Sequence, residues 1–203
     1  MKLYFSPGAC SLAVRIALTE GGIPFEGVKV DLSRHQLTAS GDDYYAVSPN
    51  GYVPLLELDD GTRHTESGAL LQRVGDLAPA NALIPPHGTA ERYRVIEWLT
   101  FIGTELHKTY SPWLWHADAA GSTREACLQK LDKRLRAVDA HLAQQDYLMG
   151  RFTVADAYLF TVANWSNMLK LPLSPYPNLQ AFMQRVAGRP KVREALAAEG
   201  RVR

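Results

Sequence analysis

The sequence predicts an α/β domain followed by an all-helical domain. Over residues 1–80, short runs rich in β-branched and aromatic residues alternate with segments of helical spacing. Later apolar patterns repeat at steps of three and four residues, as on one face of a helix. Residues 79–88 read Pro-Ala-Asn-Ala-Leu-Ile-Pro-Pro-His-Gly, and their prolines and glycine interrupt both patterns. We therefore expect a first domain over residues 1–80, a linker over 81–88 and a helical domain over 89–203.

The elements of the first domain follow from turn signals and periodicity. The pair Gly21-Gly22 ends the first helix, and Asp60-Gly61 is a strong hairpin signal. The expected elements are a strand over 3–5, a helix over 10–20, strands over 27–31, 52–58 and 62–65, and a helix over 66–77. This order, β-α-β and then β-β-α, is typical of a thioredoxin-like domain.

The helical domain carries two clear helical signals. One is an apolar stripe on a long helix, made by Leu128, Leu131, Leu135, Val138 and Leu142. Cys127 lies one turn before Leu131, and we expect it to pack beside the stripe rather than to react. The other signal is a capping box, in which Thr153 and Asp156 fix the start of a buried helix.

Composition excludes several classes of protein. Apolar residues make up 46% of the 203 residues, charged residues make up 21%, and the net charge is +1. This near balance gives no electrostatic argument for binding nucleic acid or an anionic membrane. No apolar run approaches the ~20 residues of a membrane-spanning helix, and Pro7 and Gly8 interrupt any leader-like segment. The two cysteines are too far apart for a metal knuckle, so we expect a reduced, cytoplasmic protein without a metal.

Cys10 is the main candidate for chemistry. It follows a short strand and a turn and opens a helix, where unpaired backbone N–H groups and the helix dipole favour the thiolate. A small buried cysteine with only a packing role is the alternative at this point. The segment Cys-Ser-Leu-Ala over residues 10–13 lacks the second cysteine of a redox pair. A reactive Cys10 would therefore need an external thiol, for which glutathione is the abundant cytoplasmic candidate.

Two short motifs of the first domain suit a peptide-like ligand. A cis Val53-Pro54 bond would present the N–H and C=O of Val53 to an extended ligand, although a trans proline at a strand start is more common. Glu66 and Ser67 stand where a strand meets a helix. Together they can bind an ammonium group and a carboxylate, as in a γ-glutamyl group, and simple helix capping is the alternative.

A polar stripe crosses one helix of the second domain. Thr100, Thr104 and His107 recur at helical spacing beside an apolar face, and Lys108 follows. A histidine there can help to deprotonate a thiol or hold a thiolate, while a purely structural histidine is the alternative. Trp165, on a late helix, is the best candidate among the tryptophans for the wall of a pocket.

These residues together resemble the bacterial glutathione transferases, specifically the beta class. The resemblance extends over nearly the whole chain, and the Pro-Gly-Ala-Cys-Ser start combined with Glu-Leu-His-Lys is quite specific. The matching segments are residues 2–12, Val53-Pro54, Glu66-Ser67, residues 104–108 and residues 152–160.

The resemblance implies a glutathione transferase fold, with an α/β thioredoxin-like N-terminal domain, an all-α C-terminal domain and assembly into a homodimer. Glutathione would lie along Val53-Pro54, with its γ-glutamyl group at Glu66 and Ser67. Cys10 would face its sulfur and form a mixed disulfide with it, and His107 would reach the same sulfur. The remaining implied assignments are Thr104 for glutathione, and Lys108 and Trp165 for a hydrophobic electrophile in the cleft between the domains.

Three positions depart from the beta-class pattern. Phe5 stands where tyrosine is often found and has no hydroxyl to stabilise a thiolate; Tyr4 should point to the opposite face of the strand. His35 stands where relatives offer lysine to the glycyl carboxylate, and its charge is lost above its pKa. Thr100 replaces an asparagine on the long helix.

Three functions remain open on the sequence. The preferred one is conjugation of glutathione to electrophilic small molecules in detoxification, with Cys10 and His107 managing the thiol. The second is a glutathione-dependent disulfide oxidoreductase that resembles a monothiol glutaredoxin. The third is a non-catalytic protein that binds glutathione or another ligand.

Overall fold

The computed structural model of the protein describes residues 1–200. These residues form two compact units, one of residues 1–83 together with 190–200, and one of residues 84–189. Among them no helix is long and apolar enough to cross a bilayer.

The first unit is built on a five-stranded mixed sheet. Its strands are β1 Lys2–Phe5, β2 Glu26–Asp31, β3 Gln36–Leu37, β4 Leu55–Glu57 and β5 Arg63–His64. Their order is β3-β2-β1-β4-β5, with β1 and β2 parallel and the other neighbours antiparallel. The predicted order of elements is confirmed, and the short β3 is an addition that no apolar alternation had indicated.

The helices follow in chain order through both units. They are α1 Ser11–Glu20, α2 Ser67–Leu77, α3 Ala90–Phe101, α4 Lys108–Tyr110, α5 Gly121–Leu142, α6 Val154–Ala163, α7 Trp165–Met168, α8 Pro177–Ala187 and α9 Pro190–Ala198. A π-helical segment, Ile102–His107, joins α3 to α4. Short 3-10 turns occupy Tyr44–Ala46 and Pro79–Asn81, and the second of these falls at the start of the interrupted region.

The alternation of β1 sends its two aromatic side chains to different neighbours. Tyr4 packs in a buried cluster with Val30, Tyr44 and other apolar residues. Phe5 instead lies beneath the guanidinium group of Arg15 in α1, at 4.1 Å from the ring centroid. Tyr4 and Phe5 therefore face opposite sides of the sheet, as their adjacent positions in a strand require.

The last helix packs with the first unit. α9 lies against α1, and Glu199, just beyond its end, forms a buried ion pair with Arg15 at 3.0 Å. The other carboxylate oxygen of Glu199 accepts a hydrogen bond from the backbone N–H of Gly8 at 2.8 Å. The sequence assigned this segment to the helical domain over 89–203, whereas in the structure it belongs to the same compact unit as the sheet. The pair ties the turn before Cys10 to the end of the chain.

Two predicted signals are confirmed in the second unit. The stripe on α5 buries its members from Leu131 onward, while Leu128 and Cys127 are half-buried. In the capping box, the Asp156 carboxylate accepts hydrogen bonds from the backbone N–H and the hydroxyl of Thr153, both at 2.8 Å. It also accepts the N–H of Leu148, and burial raises the pKa of Asp156 to about 6. This box fixes the start, and hence the register, of α6.

Candidate active site

Cys10 lies at the N-terminal boundary of α1. It follows the turn whose Gly8 N–H is hydrogen-bonded to Glu199. It is half-buried, and its thiol donates a hydrogen bond to the backbone carbonyl oxygen of Val53 at 3.3 Å. Its own carbonyl accepts the N–H of Ala13, so the residue is already part of the first helical turn. Two of the residues that the sequence singled out separately, Cys10 and Val53, are thus in direct contact.

Val53 offers its backbone outside the sheet ladder. The Val53-Pro54 bond is cis, and β4 begins only at Leu55. Within residues 1–200, the N–H of Val53 donates to no other residue. A backbone donor and acceptor next to a strand start are what an extended peptide-like ligand needs for pairing.

The sheet register brings Glu66 and Ser67 to the same end as Val53. β4 and β5 are antiparallel, with Leu56 opposite His64. Continuing this pairing by two residues along each chain places Glu66 across from Pro54. The motif that follows β5 and the motif that precedes β4 therefore meet at one end of the sheet, although they are separated by a hairpin in sequence.

Glu66 has a strained backbone and a side chain that does not cap the helix. Its φ is 68° and its ψ is 112°, a region that residues other than glycine rarely adopt. Its carboxylate is exposed and makes no capping hydrogen bond to α2, while Ser67 is buried. The capping alternative is therefore wrong for the Glu66 side chain. Strained residues of this kind cluster at active sites and ligand-binding segments.

His35 packs against the loop that leads to Val53. Its Nδ1 lies 3.2 Å from the carbonyl oxygen of Gly51, and its ring stacks on Tyr45 with the centroids 4.6 Å apart. A Cβ atom at Gly51 would lie 2.7 Å from an atom of each ring, and the φ of 66° at this position also favours glycine. His35 is thus fixed at the start of the segment that ends at Val53.

In the second unit, His107 lies at the end of the π-helical segment. Its Nδ1 is 2.7 Å from the hydroxyl of Tyr158 in α6, and its ring meets Trp165 edge-on at 4.9 Å. Burial, and secondarily the charge of Lys108, lowers the pKa of His107 to about 4. The imidazole is therefore neutral at physiological pH.

The remaining polar residues of this helix face outward. Thr104 and Lys108 are both exposed. The hydroxyl of Thr104 donates back to the carbonyl of Thr100 at 3.0 Å, which leaves its oxygen lone pairs as the acceptor for any ligand. The structure keeps these residues and His107 on one helical stretch, as the sequence spacing predicted, but with π rather than α geometry between Thr104 and His107.

Aromatic rings gather around Trp165. This buried residue meets Tyr110 and Trp115 edge-on, at 6.0 and 6.2 Å, in addition to His107. Trp115 remains 42% exposed, and Met168 of α7 is also exposed. The sequence singled out Trp165 but assigned no role to Tyr158. All ten residues of α6 are buried, so no signal in the sequence separates Tyr158 from its neighbours.

We expect the neutral His107 to make stability depend on pH. Between pH 6.5 and 4 the unfolded chain binds a proton at this residue that the folded chain does not. The free energy of unfolding should therefore fall as the pH falls through this window, by as much as ~3 kcal/mol from this group. Urea unfolding of His107→Gln should show a shallower pH dependence than the wild type. His116→Gln, which removes an exposed ring, is the control and should keep the wild-type slope.

Among residues 1–200 no group of three histidine, cysteine, aspartate or glutamate side chains is arranged to hold a metal ion. A thiol beside a backbone that can pair with a peptide, and a neutral histidine beside an aromatic cluster, are the two groups that require explanation.

Comparison with known proteins identifies the family. Residues 7–77 match the model of the glutathione S-transferase N-terminal domain, and residues 101–190 match that of the C-terminal domain. Glutathione S-transferase GstA of Escherichia coli O157:H7 is 47% identical over 201 residues, which cover 98% of this chain and 99% of that protein. A fold of this kind with these two domain matches defines a glutathione transferase.

Solved structures agree over the full length. The bacterial transferase BphK, determined as a ternary complex, has a TM-score of 0.95 and 49% identity, covering 98% of this chain and 100% of its own. A beta-class transferase of Sphingomonas chungbukensis has a TM-score of 0.93 and 44% identity, covering all of both chains. A sphingomonad transferase complexed with glutathione has a TM-score of 0.93 and 41% identity, again covering both chains completely. The chain belongs to the glutathione S-transferase family, and its predicted resemblance to the bacterial beta class is confirmed.

Proposed function

We propose that the protein conjugates glutathione to electrophilic small molecules and that Cys10 forms a mixed disulfide with glutathione. The observation that carries this proposal is the 3.3 Å contact between the Cys10 thiol and the carbonyl of Val53. It puts a cysteine sulfur beside the backbone that a tripeptide would pair with. Membership of the transferase family and the glutathione complex of the sphingomonad relative support the same ligand.

Glutathione binding is assigned to one end of the first unit's sheet. The N–H and C=O of Val53 pair with the peptide backbone of the ligand, as an added strand would. Glu66 accepts hydrogen bonds from the γ-glutamyl ammonium group, and Ser67 together with the N-terminus of α2 binds its carboxylate. His35 is the group for the glycyl carboxylate, and Thr104 is assigned a further contact to glutathione.

Two reactions of the thiol follow from this arrangement. In conjugation, the glutathione thiolate forms an S–C bond with the electrophile, and the leaving group departs with its electron pair. In thiol–disulfide exchange, the Cys10 thiolate attacks a disulfide of glutathione, and one glutathione leaves as a thiolate while the other stays bonded to Cys10. Both reactions need a sulfur that is held close and kept ionised. His107 is assigned to the sulfur of glutathione.

The electrophile site is assigned to the aromatic cluster of the second unit. Trp115 provides an exposed apolar surface beside the buried ring of Trp165, and the exposed Lys108 adds a positive charge beside His107. Such a surface favours hydrophobic, electrophilic small molecules. A role in detoxification, a cytoplasmic location and a homodimer are parts of the same proposal. The large exposed rings of Tyr52 and Tyr93, 71% and 66% exposed, are consistent with surfaces covered in a dimer.

A glutathione-dependent disulfide oxidoreductase is the second candidate. It is favoured by Phe5, whose ring lies under Arg15 and offers no hydroxyl to a thiolate. Conjugation and exchange are separated by parallel assays, one with an activated aryl halide and one with a mixed disulfide of glutathione. Turnover of the disulfide alone would favour this second candidate. A protein that turns over neither substrate and does not bind glutathione would have neither function.

Glu66→Gln is expected to weaken glutathione binding about tenfold, because the ammonium group of the ligand then donates to a neutral amide oxygen instead of a carboxylate. Isothermal titration calorimetry with reduced glutathione measures the dissociation constant directly. Glu26→Gln is the control, since this exposed carboxylate lies at the opposite end of the same sheet, beside Lys2. Equal affinities of the two variants would contradict the placement of the γ-glutamyl group.

A further inference from the structure

Tyr158 and His107 form a part-buried hydrogen-bonded pair, and the proposed function gives Tyr158 no role. Tyr158 is 3% exposed, and its hydroxyl oxygen lies 2.7 Å from Nδ1 of His107. The capping box at Thr153 and Asp156 fixes the register of α6, and therefore the position of Tyr158. The imidazole ring also meets Trp165 edge-on, with the ring centroids 4.9 Å apart. The ring thus has a defined orientation, with Nδ1 directed at the phenol.

The position of one proton decides what this histidine can do. A neutral imidazole carries a proton on one ring nitrogen only, so the other nitrogen is an acceptor. With the proton on Nδ1, Nε2 would be a base. With the proton on Nε2, this nitrogen would be a hydrogen-bond donor. His107 is neutral because it is buried, and the charge of Lys108 next to it also opposes protonation.

The geometry favours the phenol as the donor. A separation of 2.7 Å is at the short end of the range for N–H donors but typical of O–H donors. A phenol O–H is also far more acidic than a neutral imidazole N–H, and an imidazole nitrogen accepts a proton more readily than a phenol oxygen. The stronger donor and the stronger acceptor are therefore matched when Tyr158 donates to Nδ1.

We propose that Tyr158 is a positioning residue that fixes the proton of His107 on Nε2, so that His107 donates a hydrogen bond to the sulfur of glutathione instead of acting as its base. The tautomer is inferred from contacts within the second unit alone. Its effect on catalysis rests on the proposed function. In this scheme the proton of the glutathione thiol passes to water. The thiolate left behind accepts the Nε2–H hydrogen bond and then forms the S–C bond, and the leaving group departs with its electron pair.

The tautomer can be observed without any substrate. Two-bond ¹H–¹⁵N correlation spectra of protein labelled with ¹⁵N-histidine separate a protonated from an unprotonated ring nitrogen. We expect Nδ1 of His107 to give an unprotonated shift and Nε2 a protonated one at neutral pH. The His107→Gln variant assigns the signals. A protonated Nδ1 in the wild type would overturn the proposal, because Tyr158 would then be the acceptor.

Tyr158→Phe tests the effect on catalysis. We expect the His107 shifts to move toward a mixture of tautomers, and kcat for conjugation to fall about three- to tenfold, the loss of one neutral hydrogen bond, with the KM for glutathione unchanged. Tyr176→Phe is the control, because it also removes a phenol hydrogen bond in the second unit, to Asp132, away from His107. It should leave both readouts at their wild-type values.

These measurements distinguish failure of the tautomer proposal from failure of the proposed function. The proposal would be overturned if the ¹⁵N chemical shifts of His107 were the same in Tyr158→Phe as in the wild type, or if kcat were unchanged. If Tyr158→Phe does not fold, the wild-type spectrum decides the tautomer by itself. If the wild type shows the expected tautomer but neither binds nor turns over glutathione, then the proposed function is wrong and the hydrogen bond from Tyr158 stands.

Discussion

Cys10→Ala is expected to abolish the mixed disulfide with glutathione and to lower conjugation only about fivefold. The disulfide needs a second sulfur within bonding distance, and Cys10 supplies it beside the Val53 carbonyl. Conjugation uses the thiol of glutathione itself, so the loss there is that of one hydrogen-bonding neighbour, ~1 kcal/mol. The two reactions should therefore separate in this variant, with exchange lost and conjugation retained.

Intact-protein mass spectrometry after exposure to oxidised glutathione measures the adduct. Wild-type protein should gain one glutathione, and Cys10→Ala should gain none. Cys127→Ala is the matched control, because this half-buried thiol in the first third of α5 is the other cysteine of the chain. An adduct that persists in Cys10→Ala and disappears in Cys127→Ala would overturn the assignment, as would unchanged rates of both reactions in Cys10→Ala.

Glu199→Ala is expected to lower the free energy of unfolding by about 3–5 kcal/mol. The change leaves the guanidinium group of Arg15 buried without its carboxylate, and it removes the acceptor of the Gly8 N–H. Because Gly8 lies in the turn before Cys10, we also expect a lower yield of the mixed disulfide. Urea unfolding followed by circular dichroism, at one protein concentration, measures the loss.

A second carboxylate at the same end of the chain provides the control. Glu194 pairs with Lys191 at 2.9 Å, but both side chains are exposed, so Glu194→Ala should cost less than ~1 kcal/mol. The double variant Arg15→Met with Glu199→Leu removes both charges, and we expect it to recover much of the stability lost in Glu199→Ala. Equal destabilisation by Glu199→Ala and Glu194→Ala would show that the buried pair contributes nothing beyond an ordinary surface ion pair.

Most of the fold could be predicted because its elements depend on patterns within short segments of the sequence. The short strand that begins at Leu3, the Asp60-Gly61 turn and the stripe on α5 each occupy a short window, and the structure places elements at all of them. The capping box at Thr153 was equally local, and its hydrogen bonds are as predicted. The π-helical segment before Lys108 was missed, since the same apolar spacing fits an α-helix closely.

The sequence could predict most of the individual residues of the site, but not their conformations or their contacts with one another. Glu66 was singled out as part of a motif, whereas its strained φ depends on the junction of β5 with α2. Tyr158 carries no signal of its own, because a tyrosine in an apolar helix is ordinary core. Its importance follows only from its 2.7 Å approach to His107, a residue on another helix.

The sequence by itself determined the fold class, the place of Cys10 at a helix start, and the identity of the two motifs that suit a peptide-like ligand. These follow from periodicity, turn residues and capping, which act over a few neighbouring residues. Only the tertiary structure decided three contacts. The Cys10 thiol donates to the Val53 carbonyl, the Glu199 carboxylate accepts the N–H of Gly8, and His107 is hydrogen-bonded to Tyr158. Each of these contacts joins residues far apart in the chain, and packing of the whole unit, not local preference, sets their distance.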